Sequence, residues 1–152
     1  MNDRISLIQI RVAGHADLSA VLDLYRRAGL DHDGGMDPDE AGVVFSRFAA
    51  YPCYRLYVAT MGDAVVGTFA LLIMDNLAHG GAASGIVEDV AVDPQAQGKG
   101  IGAAMMNHAR EVCRDKGCYK LVLSSNQTRQ SAHDFYAAIG FEKHGYSFRV
   151  QP

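Results

Sequence analysis

Two carboxylates, Glu88 and Asp89, stand side by side in the apolar run Ile86–Val92. Desolvation on such a strand raises a carboxyl pKa and makes the group a usable proton acceptor. Glu88 is therefore a candidate base; its alternative role is to pair with a structural cation or hold a substrate group. Regular alternation would turn Asp89 to the opposite side of the strand. A few residues on, the chain turns at Asp93-Pro94 and runs Gln97-Gly98-Lys99-Gly100-Ile101-Gly102 into an amphipathic helix. Ile101, Ala104, Met105, Ala109 and Val112 share one face of that helix. A glycine loop at a helix start gathers unpaired N–H groups and the positive end of the helix dipole, so its natural guest is a phosphate or diphosphate.

Which phosphate compound follows by elimination. A Walker A loop needs Ser or Thr after the lysine, and Lys99 is followed by Gly100. The dinucleotide fingerprint sits in a tight turn directly after a strand, with an acidic ribose ligand about 20 residues on. Here Asp93 to Gln97 intervene, and the next strand ends in Ser124-Ser125-Asn126. The six histidines show no His-Glu-x-x-His or related ligand spacing, so no metal is expected.

Gln97-x-x-Gly100-x-Gly102 resembles the acyl-CoA diphosphate loop of the GNAT N-acetyltransferases. Glu-Asp-Val-Ala-Val-Asp-Pro lies upstream of it, and Ala132-His133-Asp134-Phe135-Tyr136 with Ile139-Gly140-Phe141 downstream. The resemblance implies acetyl-CoA as cofactor, with Gln97, Gly98, Lys99, Gly100, Ile101 and Gly102 around its diphosphate. It implies that the strands Ile86–Val92 and Tyr119–Leu123 splay into a V. The pantetheine arm would enter there and pair with the backbone of Val90, Ala91 and Val92. Asn126, just past the second strand, would either bond to the cofactor's amide or serve as a turn residue. Glu-Asp and Gly117-Cys118-Tyr119-Lys120 also resemble glucosamine-phosphate N-acetyltransferases, which suggests that both Glu88 and Asp89 touch substrate. Two departures weaken glucosamine phosphate as the acceptor: Arg129 replaces an asparagine common seven residues before the acid tyrosine, and Ser124 replaces an aspartate at the end of the splayed strand.

Transfer of acetyl to an amine poses two proton problems. An alkylammonium is neutral only about once in 2,500 molecules at pH 7, so something must take its proton. The leaving sulfur departs more readily when an acid protonates it. Tyr136 lies on the apolar stripe of its helix and reads, by spacing alone, as a core residue; the resemblance makes it the general acid. His133 packs or meets CoA, and His108 packs on the helix that the glycine loop opens. His32 and His79 fall in loops. The function expected is acetyl-CoA-dependent N-acetylation of a small primary amine by direct transfer. Its alternatives are a non-catalytic acyl-CoA sensor, a peptide or protein amine acetyltransferase and, outside the resemblance, dinucleotide redox chemistry.

The elements that must hold these residues are legible in order. Leu7–Val12 reads as a strand, and Leu18, Val21, Leu22 and Tyr25 as a helix stopping near Gly29. Asp37-Pro38-Asp39-Glu40 is a capping box with proline at the first helical position, and Pro52 ends that second helix. Tyr54–Met61 and Ala64–Asp75 form a hairpin about Gly62-Asp63. Lys116-Gly117 stops the long helix, Tyr119–Leu123 is a strand, Ala132–Ile139 a helix, and Tyr146–Val150 a last strand. This order implies one α/β domain of α+β type, residues 1–152, with a mixed, mostly antiparallel sheet between helices on both faces.

With 152 residues, 49% hydrophobic and 20% charged, the chain suits one soluble domain. Its net charge of −3 offers no field for nucleic acid or anionic membrane. Three cysteines without a Cys-x-x-Cys pair read as reduced thiols, and no signal peptide or membrane span is evident, so a cytoplasmic protein is expected. The resemblance adds a possible homodimer.

Overall fold

In the computed structural model, which describes residues 7–152, five strands form one sheet in the order β1-β2-β3-β4-β5. The strands are β1 (Ile8–Val12), β2 (Tyr54–Met61), β3 (Ala64–Met74), β4 (Ser84–Val92) and β5 (Lys120–Leu123). The helices are α1 (Leu18–Ala28), α2 (Pro38–Arg47), α3 (Ile101–Asp115) and α4 (Gln130–Ala138). Two compact units divide the chain, one reaching Val122 and the other Leu123–Pro152.

The first four strands pair antiparallel, β2 and β3 across the Gly62 turn (φ 60°). Strand alternation gives the sheet two apolar faces. On one, Leu56, Val58 and Ala70 pack with Leu18, Val21 and Leu22 of α1 and Ala41 of α2. On the other, Tyr57 stacks on Phe69 and meets His108 of α3 edge-on, at centroid distances of 5.0 and 5.2 Å. His108 is thus a packing residue, as its helical position implied. Gly67 brings α3 close: a side-chain carbon there would lie 2.8 Å from the Met105 sulfur and 2.9 Å from Ile101.

The capping residues act as their types require. The Asp37 carboxylate accepts from the Asp39 and Glu40 N–H groups at 2.9 Å each, and Glu40 accepts from the Asp37 N–H at 3.2 Å. Gly29 (φ 82°) ends α1. At the end of α3 the Cys118 N–H donates to the Cys113 carbonyl (2.9 Å) and the Gly117 N–H to the Arg114 carbonyl (3.1 Å), a Schellman closure with Gly117 left-handed.

One expected element is absent. Residues 141–152 adopt neither helix nor strand. Tyr146, Phe148 and Val150 have strand-like spacing but are 92, 91 and 85% exposed. A strand needs a neighbour to complete its backbone ladder, and no second strand runs alongside this segment within Leu123–Pro152.

Candidate active site

The centre of the site is an irregularity in β4. Ala70 pairs with Glu88 and Thr68 with Ala91, so Asp89 and Val90 together oppose Phe69. Two residues against one is a β-bulge, which leaves backbone groups outside the ladder and re-aims side chains. Asp89 sits at φ 53°, a left-handed conformation that Asp tolerates better than most residues. Leu56, Ala70 and Glu88 form one cross-strand row, which puts Glu88 on the α1 face. The regular alternation that would turn Asp89 to the other face does not hold. Asp89 acts on Tyr25 and Tyr54, both packed on the α1 face, because the bulge breaks the period at this residue.

The electrostatics follow from that placement. Burial first, and then the neighbouring Asp31 carboxylate, raise the proton affinity of Asp89. Tyr25 is held protonated far above its ordinary range by burial and then by Asp89. Tyr54 is raised by burial, then by Asp89 and Glu88. Among the described residues Asp31, Glu88 and Asp89 form no ion pair. A cationic amine would complement this group of carboxylates.

The glycine loop follows directly. Asp93 accepts from the Gln95 N–H (2.9 Å) and pairs with Arg27 from the last turn of α1 (2.7 Å). That guanidinium, and secondarily the Gln95 N–H, hold the Asp93 carboxyl below its usual range. Gly98 and Gly100 each adopt φ 80°, and nothing lies within 4 Å of where a side-chain carbon would project. Gly100 is the N-cap of α3 and supplies no side-chain bond to the helix. Gln97 and Lys99 are exposed, while Ile101 is buried beneath them. Uncapped N–H groups, left-handed glycines and open space fit a diphosphate.

β4 and β5 meet near their starts. There the Tyr119 N–H donates to the Ala83 carbonyl (2.9 Å) and Leu121 lies against Gly85. His79 stacks on Tyr119 at 4.1 Å, at the edge of the same junction.

Tyr136 and Asn126 belong to the second unit. Tyr136 is half-buried between Phe135 and Phe141, at centroid distances of 5.2 and 5.6 Å. Burial raises its pKa, partly offset by Arg129, so its hydroxyl carries a proton at neutral pH. The Asn126 side-chain oxygen accepts from the Thr128 N–H (3.0 Å) and hydroxyl (2.8 Å), the bonding of a turn residue. His133 Nε2 hydrogen-bonds to the Asn126 carbonyl oxygen at 2.8 Å, which ties α4 to this turn.

Three residues near this chemistry, and one in the second unit, gave no sign in the sequence. Tyr25 and Tyr54 lie on apolar stripes and read as core, and Asp31 reads as a loop residue. Ser125 has a buried hydroxyl oxygen with no hydrogen-bond partner. Only the bulge reveals the first three, because it alone brings Asp89 to their side.

Comparison with known proteins agrees with this geometry. Residues 18–141 match the acetyltransferase (GNAT) family. The chain is 32% identical to a glucosamine 6-phosphate N-acetyltransferase of Trypanosoma brucei brucei over 99% of each protein. A putative acetyltransferase from Agrobacterium tumefaciens strain C58 has the same fold, with TM-score 0.88 and 30% identity over 95% of this chain and 99% of that one. A solved complex of AAC(6')-Iy with a CoA bisubstrate analogue shares the fold at TM-score 0.79 and 15% identity, covering 97% of this chain and 99% of that one. With its glycine loop and sheet order in place, the chain belongs to the GNAT acetyltransferase family and is an enzyme that uses acetyl-CoA.

Proposed function

We propose that this enzyme transfers acetyl directly to the primary amine of a small molecule held at the β4 bulge. The observation that carries the reading is the Glu88–Asp89 pair beside Tyr25 and Tyr54, with Asp31 near Asp89 and no cation paired to these carboxylates among the described residues. Such a group attracts an ammonium ion and can take its proton. Glu88 accepts that proton through water, and Asp89 holds the amine. The name of the trypanosomal relative, a glucosamine 6-phosphate N-acetyltransferase, supports a small-molecule acceptor here.

Bound acetyl-CoA supplies the thioester that makes the acetyl group transferable. The N–H groups of Gly98 to Gly102 hold its diphosphate, with Gln97 and Lys99 beside them. The backbone of Val90, Ala91 and Val92 aligns the pantetheine arm, while Asn126, its side-chain oxygen held by Thr128, keeps the role of a turn residue. Tyr136 carries the proton given to the departing sulfur. The two compact units act as one acetyltransferase domain spanning residues 1–152. The chain pairs with a second copy through Tyr146, Phe148 and Val150, whose exposed apolar spacing suits strand addition. Three free cysteines suit a reducing, cytoplasmic setting, and no helix among the described residues is long and apolar enough to cross a membrane.

Initial rates at varied acetyl-CoA and amine test direct transfer. Lines that intersect in a double-reciprocal plot are expected. Parallel lines, the mark of an acyl-enzyme, contradict the proposal.

A further inference from the structure

An aromatic-walled recess of about 460 Å3 opens on the same face of the sheet as Glu88, within the range of small-molecule sites. Phe45, Phe48, Tyr51 and Tyr54 form its walls, with Leu56 among its lining residues. Phe48 and Tyr54 stack at 4.1 Å with planes 12° apart, and Tyr51 meets Tyr54 edge-on at 5.3 Å. Leu56 shares a cross-strand row with Ala70 and Glu88, so the backbones of Leu56, at the recess, and Glu88 are two strand spacings apart, about 10 Å. Tyr54 belongs to both places, since its ring lines the recess while its hydroxyl feels Asp89 and Glu88.

The polar groups around the recess are few. The Ser46 hydroxyl donates to the Gly42 carbonyl (2.8 Å), and His15 lies edge-on to Phe45 at 5.0 Å. Arg55, at the rim, donates to the Tyr54 carbonyl (3.0 Å) and acts on Tyr57, which faces α3 on the opposite side of the sheet. Arg11 is paired with Asp17 at 2.7 Å. An apolar or aromatic group would replace water against aromatic walls. Negative charge at the bulge and a mainly aromatic wall beyond it complement an amine that is cationic at one end and apolar at the other.

Resting on the acetyltransferase reading above, we infer that the recess is the acceptor's tail pocket. The preferred substrate is a primary amine joined by a short chain to an aromatic or apolar group. Its ammonium sits at the Glu88–Asp89 bulge, and its tail lies against Tyr54 and Phe48. This differs from the sugar phosphate in the name of the trypanosomal relative.

Measuring kcat/KM for 2-phenylethylamine, 2-aminoethanol and glucosamine 6-phosphate tests the inference. Phenylethylamine is expected to exceed each of the others by about tenfold or more, the usual discrimination of an apolar pocket. Tyr51→Ala, at a half-exposed position, and Ala49→Trp, at the exposed rim, should each cut the phenylethylamine-to-aminoethanol ratio about tenfold through KM, with unchanged Tm confirming the fold. Equal or better turnover of aminoethanol or glucosamine 6-phosphate overturns the tail pocket and leaves acetyl transfer standing. So does a ratio unmoved in both variants. Failure to acetylate any amine overturns the acetyltransferase reading itself and this inference with it.

Discussion

At the scale of single residues, proton affinity separates the roles. Tyr136 holds its proton because burial disfavours the phenolate, which suits a donor. Tyr136→Phe is expected to lower kcat about 100-fold while KM for acetyl-CoA and Tm stay unchanged; unchanged kcat across pH removes the residue from the mechanism. Asp89 carries a sign that stability can read. Its folded-state affinity for a proton is raised, so its contribution is most favourable below the unfolded pKa, about 3.9, and is lost as pH rises through the folded value. Asparagine cannot ionise and tolerates the same left-handed backbone. Asp89→Asn should therefore raise Tm at pH 7, leave it unchanged near pH 3, and lower kcat. A lower Tm at pH 7, seen by calorimetry, contradicts the burial account. Glu88 and Asp89 were legible as chemistry because two carboxylates interrupt an apolar strand; the desolvation expected of that strand does not reach Glu88, which is exposed. Tyr25 and Tyr54 were not, since an aromatic on an apolar stripe reads as core whether or not its hydroxyl faces a site.

At the scale of elements, local signals located most of the frame. The Asp37–Glu40 box, the Gly62 turn and the Gly117 stop each fix a boundary through backbone bonding within a few residues, and all three are formed as expected. The bulge is different. It depends on which β3 residues face β4, a register that no short stretch encodes, so the side on which Asp89 lies was misread. The glycine loop was legible by composition, but its tether was not: Arg27 reaches Asp93 from an element far away in the chain. Arg27→Ala should raise KM for acetyl-CoA several-fold with kcat unchanged, and cost about 1 kcal/mol or less of stability, the usual worth of a surface pair. Gly100→Ala meets open space but forces a left-handed alanine, costing about 1–2 kcal/mol. Chemical denaturation and initial rates check both; a Gly100→Ala chain with unaltered KM for acetyl-CoA removes the loop from the cofactor site.

At the scale of the whole molecule, an antiparallel meander followed by strand, helix, strand and helix announced a sheet with helices on both faces, and the sheet has that order. The segment Tyr146–Val150 exposed the limit of such reading, because alternation signals a strand only where a partner exists. Removing residues 146–152 is expected to convert a dimer to a monomer in light scattering; a full-length chain that is monomeric contradicts the pairing proposed here. The account as a whole stands on acetyl moving from CoA to an amine at the bulge. Release of CoA by the purified chain, with products identified by mass spectrometry across a panel of arylalkylamines, amino sugars, polyamines, amino acids and aminoglycosides, measures this directly. Amine-dependent turnover yielding an amine heavier by one acetyl group, abolished or sharply reduced in Glu88→Gln, is the expected result. Binding of CoA in calorimetry without acetylation of any amine would make the chain a sensor and contradict the account.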